Sequence, residues 1–93
     1  MAVNAQTALL MVKTRLNRLA SDTSLDQYLS ARIEAAEQQL QAIGINLADT
    51  TEDLLLVVDL AVWQYQNRDQ ATDMPPWLRL RRRERWLREG GTT

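Results

Sequence analysis

Residues 54–63 constrain the fold of this 93-residue chain more than any other segment, because nine of these ten residues are apolar. A helix that is apolar on every side must be covered on every side. The strictly apolar part, residues 54–58, is far shorter than the ~20 residues that span a bilayer. The run therefore predicts a buried central helix, with a neighbouring subunit expected to supply part of its cover. Asp59 is the one charge inside the run, and if it is buried we expect an arginine from another segment to pair with it.

Two further helices precede this run, and each is predicted by an apolar stripe at helical spacing. The first is expected to end in the polar residues 20–24. The second is expected to begin with a capping box formed by Ser24 and Gln27 and to end at Gly44, with Ile45 folding back onto its last turn. The two stripes are Leu9, Val12, Leu16 and Leu19 in the first helix, and Leu29, Ile33, Ala36, Leu40 and Ile43 in the second.

Side-chain oxygens and acids in residues 49–53 are expected to cap the start of the central third helix. A polar loop at residues 67–74 follows that helix, and Pro75-Pro76 then starts a fourth helix over residues 76–89. Residues 1–93 are thus predicted to form a single all-α domain. It would be a small four-helix bundle with a central apolar third helix and a basic C-terminal helix.

The residues that most enzymes use are missing from this sequence. It contains no cysteine and no histidine, which removes thiol nucleophiles, zinc–thiolate sites and the commonest general base. The acids at positions 49, 52 and 53 lack the ligand spacing and internal glycine of a calcium loop, and they are interpreted as helix caps. The sequence therefore predicts a structural protein without catalytic residues, metal or cofactor, and the absence of a membrane-spanning run predicts no membrane partner.

The fourth helix carries a charge opposite to that of the rest of the chain. Residues 79–93 contain six arginines and two acids, a charge of +4, whereas residues 1–78 contain five cations and ten acids, a charge of −5. Arginine binds carboxylates and phosphates through two parallel hydrogen bonds and stacks on aromatic rings, which suits interfaces. The candidate interface residues are Trp77, Arg79, Arg81, Arg82, Arg83, Arg85, Trp86 and Arg88.

Three interpretations of this arginine-rich helix remain open. In the first the arginines pair with the chain's own acids, in the second they bind another protein surface (mostly another copy of the chain), and in the third they bind nucleic acid. Trp77, Leu80 and Leu87 share one face of the helix and Trp86 points nearly opposite, so we expect contacts with two different surfaces. A helix-turn-helix arrangement is excluded because the third helix opens with apolar residues, which cannot read base edges. Contact of the fourth helix with DNA would therefore be of the phosphate type, salt-sensitive and non-specific.

The order and spacing of several segments resemble the phage head–tail connector, or head-completion adaptor, family. The resemblance spans residues 7–89 and includes a second helix closed by glycine, an apolar third helix and a Met-Pro-Pro turn before the last helix. The matching segments are Leu25-Asp26-Gln27-Tyr28-Leu29, Arg32-Ile33-Glu34-Ala35-Ala36, Gln41-Ala42-Ile43-Gly44-Ile45, Asp59-Leu60-Ala61-Val62-Trp63 and Met74-Pro75-Pro76. The arginine-rich last helix departs from the family pattern.

This resemblance implies a subunit that assembles with itself into a ring, expected to be twelvefold, in the neck of a phage or prophage virion. The ring would lie between the portal protein and a neck or tail protein, complete the head, and let DNA pass through its channel. Assembly would take place in the cytoplasm of the bacterial host. The alternative function is a small cytoplasmic nucleic-acid-binding helical protein that uses the arginine-rich C-terminal helix.

Overall fold

The computed structural model describes residues 3–90, which form four helices: α1 (Ala5–Arg15), α2 (Asp26–Ala42), α3 (Thr51–Gln66) and α4 (Pro76–Arg88). α3 packs against each of the other three helices, and α1 also packs against α2. The predicted all-α four-helix bundle is confirmed. Residues 1–2 and 91–93 of the predicted domain lie outside the described residues.

α3 is the central helix because its own chain surrounds it. Residues 56–62 are all buried, and seven consecutive residues cover two full turns and hence every side of a helix. α1, α2 and α4 provide this cover, so the middle of α3 does not need the neighbouring subunit that the sequence suggested. Leu54, Leu55 and Trp63, nearer the ends of the run, are half-buried.

Local backbone chemistry fixes the junction between α2 and α3. Gly44 has a φ of +103° and follows the last turn of α2, as predicted. The Ile45 N–H donates to the Leu40 carbonyl at 3.1 Å and the Gly44 N–H to the Gln41 carbonyl at 3.0 Å, which is the Schellman pattern of helix termination. Ile45 is buried after this turn. The predicted cap of α3 is also present, since the Thr50 side chain accepts from the Asp53 N–H.

Replacing Gly44 by alanine is expected to lower the free energy of unfolding by about 1–2 kcal/mol, because an L side chain is strained at this positive φ. A Cβ at this position would lie 3.6 Å from Trp86 Nε1, an ordinary contact, so the loss would come from the backbone and not from a clash. Urea unfolding followed by circular dichroism measures the loss. Asparagine tolerates positive φ better and is the control, with a smaller expected loss; equal losses for both variants would contradict this account.

Three predictions about the first half of the chain are wrong. α1 ends at Arg15 because Asn17 adopts a φ of +59° and the Arg18 N–H returns to the Lys13 carbonyl, which leaves Leu19 73% exposed. Ser24 does not cap α2, since its hydroxyl donates to Asp22 and the N-cap position is Leu25. Ile43, the last residue of the predicted second stripe, is not part of the buried face, because it is the C-cap of α2 and is exposed.

A buried lysine joins α1 to α2. Lys13 is 2% exposed, and its Nζ lies 2.9 Å from both the Asp26 carboxylate and the Ala20 carbonyl. The sequence placed Lys13 off the apolar stripe of the first helix, so its burial was not foreseen.

Among residues 3–90, no helix combines the length and hydropathy that crossing a bilayer requires.

Candidate interface on the fourth helix

One apolar side chain anchors α4 to the body formed by α1–α3. Pro76 occupies the first turn of α4, where its missing N–H costs nothing, and Pro75 is extended as the N-cap. In α4, which lies wholly within the described residues, Leu78 is the only buried residue. Leu78 is part of the hydrophobic core, and Trp86 packs half-buried against that core. Ion pairs between arginines of α4 and acids of α3 supply further contacts.

Three of the predicted interface arginines are used by the chain's own acids. Arg81, Arg85 and Arg88 pair respectively with three carboxylates of α3, those of Asp59, Asp53 and Glu52. Asp59 is buried and also pairs with Arg15 of α1. The prediction that a buried Asp59 would have an arginine partner from another segment is confirmed, with α1 and α4 each supplying one.

Arg85 and Asp53 form the most deeply buried of these pairs, with side chains 11% and 2% exposed. Arg85 Nε donates to Asp53 Oδ1 at 2.8 Å, and Arg85 Nη2 donates to Asp53 Oδ2 at 3.2 Å and to the Asn46 carbonyl at 2.8 Å. Asp53 Oδ2 accepts from the Ala48 N–H at 2.7 Å. This pair therefore ties α4 both to the first turn of α3 and to the loop before it.

The environment of this pair shifts both of its pKa values. Burial opposes ionisation of Asp53, but the hydrogen bonds from Arg85 and from the Ala48 N–H, with the charges of Arg85 and Arg88, hold its pKa below the ordinary value. The hydrogen bond to Asp53, with a further contribution from Glu89, raises the pKa of Arg85 despite its burial. Both groups are therefore charged at neutral pH and stabilise each other.

The other three arginines lie on a different side of α4, which we call the arginine flank: Arg79, Arg82 and Arg83. None of them has an ion-pair partner within residues 3–90. Together with Ile43 and Trp86 they line an open hollow of about 320 Å³. The hollow thus combines apolar side chains with three uncompensated positive charges.

A third side of α4 points away from the body and carries three exposed apolar side chains, with the exposed Glu84 between them. Trp77, Leu80 and Leu87 are 48%, 55% and 39% exposed, and they form what we call the outer stripe. The Arg81 guanidinium lies 5.9 Å from the centre of the Trp77 ring. The sequence placed these three residues on one face and Trp86 opposite, and the structure has Trp86 against the body and the outer stripe in solvent.

The two larger hollows away from α4, within the described part of the chain, differ in character. One lies between α1 and α3, has a volume of about 310 Å³, and is lined mainly by apolar residues that include Leu10, Met11, Leu55 and Val58. The other, the acidic hollow of α2, has a volume of about 210 Å³ and is lined by Glu34, Glu37, Gln38 and Gln41. Glu37 is 3% exposed, and neither of its carboxylate oxygens has a hydrogen-bond partner within residues 3–90.

The eight predicted interface residues therefore divide into three groups. Arg81, Arg85 and Arg88 hold α4 to α3, Trp86 and the arginine flank border one hollow, and Trp77 belongs to the outer stripe. Sequence reasoning missed the anchor Leu78 and the acidic hollow.

Within the described part of the chain, no cluster of three or more acids was found that could hold a metal ion. Comparison of the chain with protein-family models, curated proteins and solved structures finds no match.

Proposed function

We propose that this chain is a structural subunit of a phage or prophage head–tail connector. In this role it forms a ring in the virion neck between the portal and a tail protein, completes the head and lets DNA pass. Two observations support the proposal: the resemblance of residues 7–89 to that family, and the surface that α4 presents to solvent. The second of these carries the assembly function.

The outer stripe is better explained by binding than by folding. Its three side chains contribute little to the stability of a single chain, because about half of each remains in water. Contact with a partner would bury them, with a gain on the order of 1 kcal/mol for each. Tryptophan and arginine dominate the binding energy of protein interfaces, and α4 exposes both next to each other.

The attachment of α4 also favours assembly. Leu78 and the Asp53–Arg85 pair fix the helix on the body, so its outer surface is already ordered before a partner arrives. An ordered surface loses less conformational entropy on binding than a flexible arm does. A ring of such subunits needs no catalytic group, and its mechanism is the mutual positioning of rigid bodies around the channel.

Molar mass measured by light scattering after size exclusion tests this proposal. We expect the wild-type chain, alone or with the portal ring encoded in the same genome, to form a discrete species many times its 10.7 kDa mass. Replacing Leu80 and Leu87 by serine should reduce assembly at least tenfold without loss of helical circular dichroism. Leu10→Ser, at a 50% exposed site on α1, is the control. A wild-type chain that stays monomeric with and without the portal would contradict the proposal.

One observation favours the alternative function, a small nucleic-acid-binding protein. The arginine flank could bind phosphates while Trp86 stacks on a base, a combination found in proteins that bind single strands. The net charge of −1 for the whole chain opposes this alternative. Binding of a labelled oligonucleotide by the monomer, with a steep decrease between low and moderate salt, would favour it over the connector.

A further inference from the structure

We infer that the arginine flank of one copy binds the acidic hollow of α2 in the next copy, so that the same contact repeats around the assembly. This inference rests on the proposed function, because it identifies two surfaces that meet within the ring. It concerns residues that the fold of a single chain leaves without electrostatic partners.

The arginine flank offers a binding site for an anionic partner. Its three guanidinium groups lie within five consecutive residues and repel one another, and no carboxylate within residues 3–90 pairs with them. Each guanidinium offers five N–H donors in a planar fork that fits a carboxylate. Ile43 and Trp86 add an apolar wall to the same hollow, which suits an acidic side chain on a protein surface.

The acidic hollow offers a binding site for a cationic partner. Glu37 lines this hollow, and its carboxylate is buried without a hydrogen bond from residues 3–90, an arrangement that opposes folding. Glu34 adds a second carboxylate at an exposed position in the same hollow, beside the side-chain amides of Gln38 and Gln41. A guanidinium that enters the hollow would donate to the exposed carboxylate of Glu34 and to the amide oxygens, and it would lie close to the negative charge of the buried Glu37.

The positions of the two hollows show that the contact must join different copies. Gln41 lines the acidic hollow, and Ile43 lines the hollow bordered by the arginine flank. Residues two apart at the end of a helix point about 200° away from each other, so the hollows lie on opposite flanks of the end of α2. One molecule cannot bring its own two surfaces together. Each copy offers both, which gives a head-to-tail contact that closes into a ring when the rotation allows.

A second copy fits these observations better than DNA does. DNA phosphates could occupy the arginine flank, but they would leave the acidic hollow without a cationic partner and would face a chain of net negative charge. The second copy satisfies both surfaces at once. DNA binding at the arginine flank is therefore one of the outcomes that the test must separate.

Complementary charge reversal tests the inference. One variant carries Arg82→Glu and Arg83→Glu, and the other carries Glu34→Arg and Gln38→Arg, which are exposed positions of the acidic hollow and so spare the fold. We expect each variant alone to assemble only at a protein concentration at least tenfold higher than the wild type needs. If the wild type assembles only on the portal, all variants are compared in the presence of the portal. An equimolar mixture should assemble like the wild type, because both kinds of contact in an alternating ring are again between opposite charges.

Two further variants sharpen this test. Arg32→Glu with Arg68→Glu changes the charge as much as the first variant does but lies outside both surfaces, and it should assemble normally. Glu37→Gln should weaken assembly while the isolated chain becomes no less stable to urea, since the change removes a buried charge. Circular dichroism checks that every variant remains helical.

The outcomes separate this inference from the proposed function. Normal assembly of both charge-reversed variants, or a mixture that fails to assemble, would overturn the inference while the connector proposal stands. Loss of oligonucleotide binding in the arginine variant, with normal assembly, would assign the flank to DNA instead. A wild-type chain that forms no ring with or without the portal would overturn both.

Discussion

Replacing Asp53 by alanine is expected to lower the free energy of unfolding by about 3–5 kcal/mol, the range found when one partner of a buried ion pair is removed. Asp53 is 1% exposed and accepts hydrogen bonds from Arg85 and from the Ala48 N–H. Its loss leaves the Arg85 guanidinium only partly compensated in a buried position. Urea unfolding followed by circular dichroism measures the effect.

Glu52 provides a matched control for this prediction. It lies one residue before Asp53 and also pairs with an arginine of α4, but both partners are more than half exposed. Glu52→Ala should therefore cost at most about 1 kcal/mol. If the two variants lost similar stability, burial of the Asp53–Arg85 pair would not be what holds α4 to α3.

The pH dependence of stability gives a second measure of the same pair. The pKa of Asp53 is lower in the folded chain than its ordinary value. Its contribution to stability is therefore fully present above about pH 4, the ordinary range of an aspartate, and is lost as the pH falls through the lower folded value. We expect the stability difference between the wild type and Asp53→Ala to shrink on acidification below about pH 4.

Replacing Leu78 by alanine is the second change with a large expected effect, about 2–5 kcal/mol, as for other large-to-small substitutions in cores. Leu78 is fully buried. Among the residues of α4, all of which lie within the described part of the chain, it is the only buried one. Its truncation leaves a cavity and removes the most deeply buried apolar contact of α4. Unfolding in urea can be followed by tryptophan fluorescence, since two of the three tryptophans, Trp77 and Trp86, lie on α4 and the third, Trp63, lies on α3.

Leu80 supplies the control, because it is the same residue type on the same helix and is 55% exposed. Leu80→Ala should change the stability of the isolated chain by no more than about 0.5 kcal/mol. An equal loss for both variants would show that the outer stripe is buried in solution. That result would contradict the exposure of the outer stripe in the isolated chain and would leave the role of Leu78 unchanged.

The sequence was sufficient to predict those parts of the fold that depend on one unambiguous signal. Residues 54–63 could be stable only as a central helix, and Gly44 marked the end of α2 because glycine readily adopts positive φ. Asn17 ends α1 by the same backbone conformation, but asparagine is common in other conformations, so the end of α1 was placed too late. The misplaced cap at Ser24 has a similar cause, since a serine hydroxyl has several local acceptors.

The candidate interface was predictable as a list of residues but not as an arrangement. Periodicity showed that Trp77 shares a face with Leu80 and Leu87, yet nothing in that pattern states which face of α4 meets the body. The tertiary structure decides this, because Leu78 enters the core and turns Arg81 and Arg85 towards α3. The acids of α3 at positions 52, 53 and 59 were the available signal, since together they match three arginines spaced along one side of α4.

The sparse attachment of α4 divides the molecule into two levels of local stability. α1, α2 and α3 share most of the apolar core, whereas α4 contributes only Leu78 and the half-buried Trp86, together with ion pairs. Segments with few buried apolar contacts open locally at lower free energy than the core does. A partner bound to the outer surface of α4 would stabilise its closed state by mass action. Occupancy of the interface would then suppress local opening of α4, and hydrogen exchange of its amides would report on assembly.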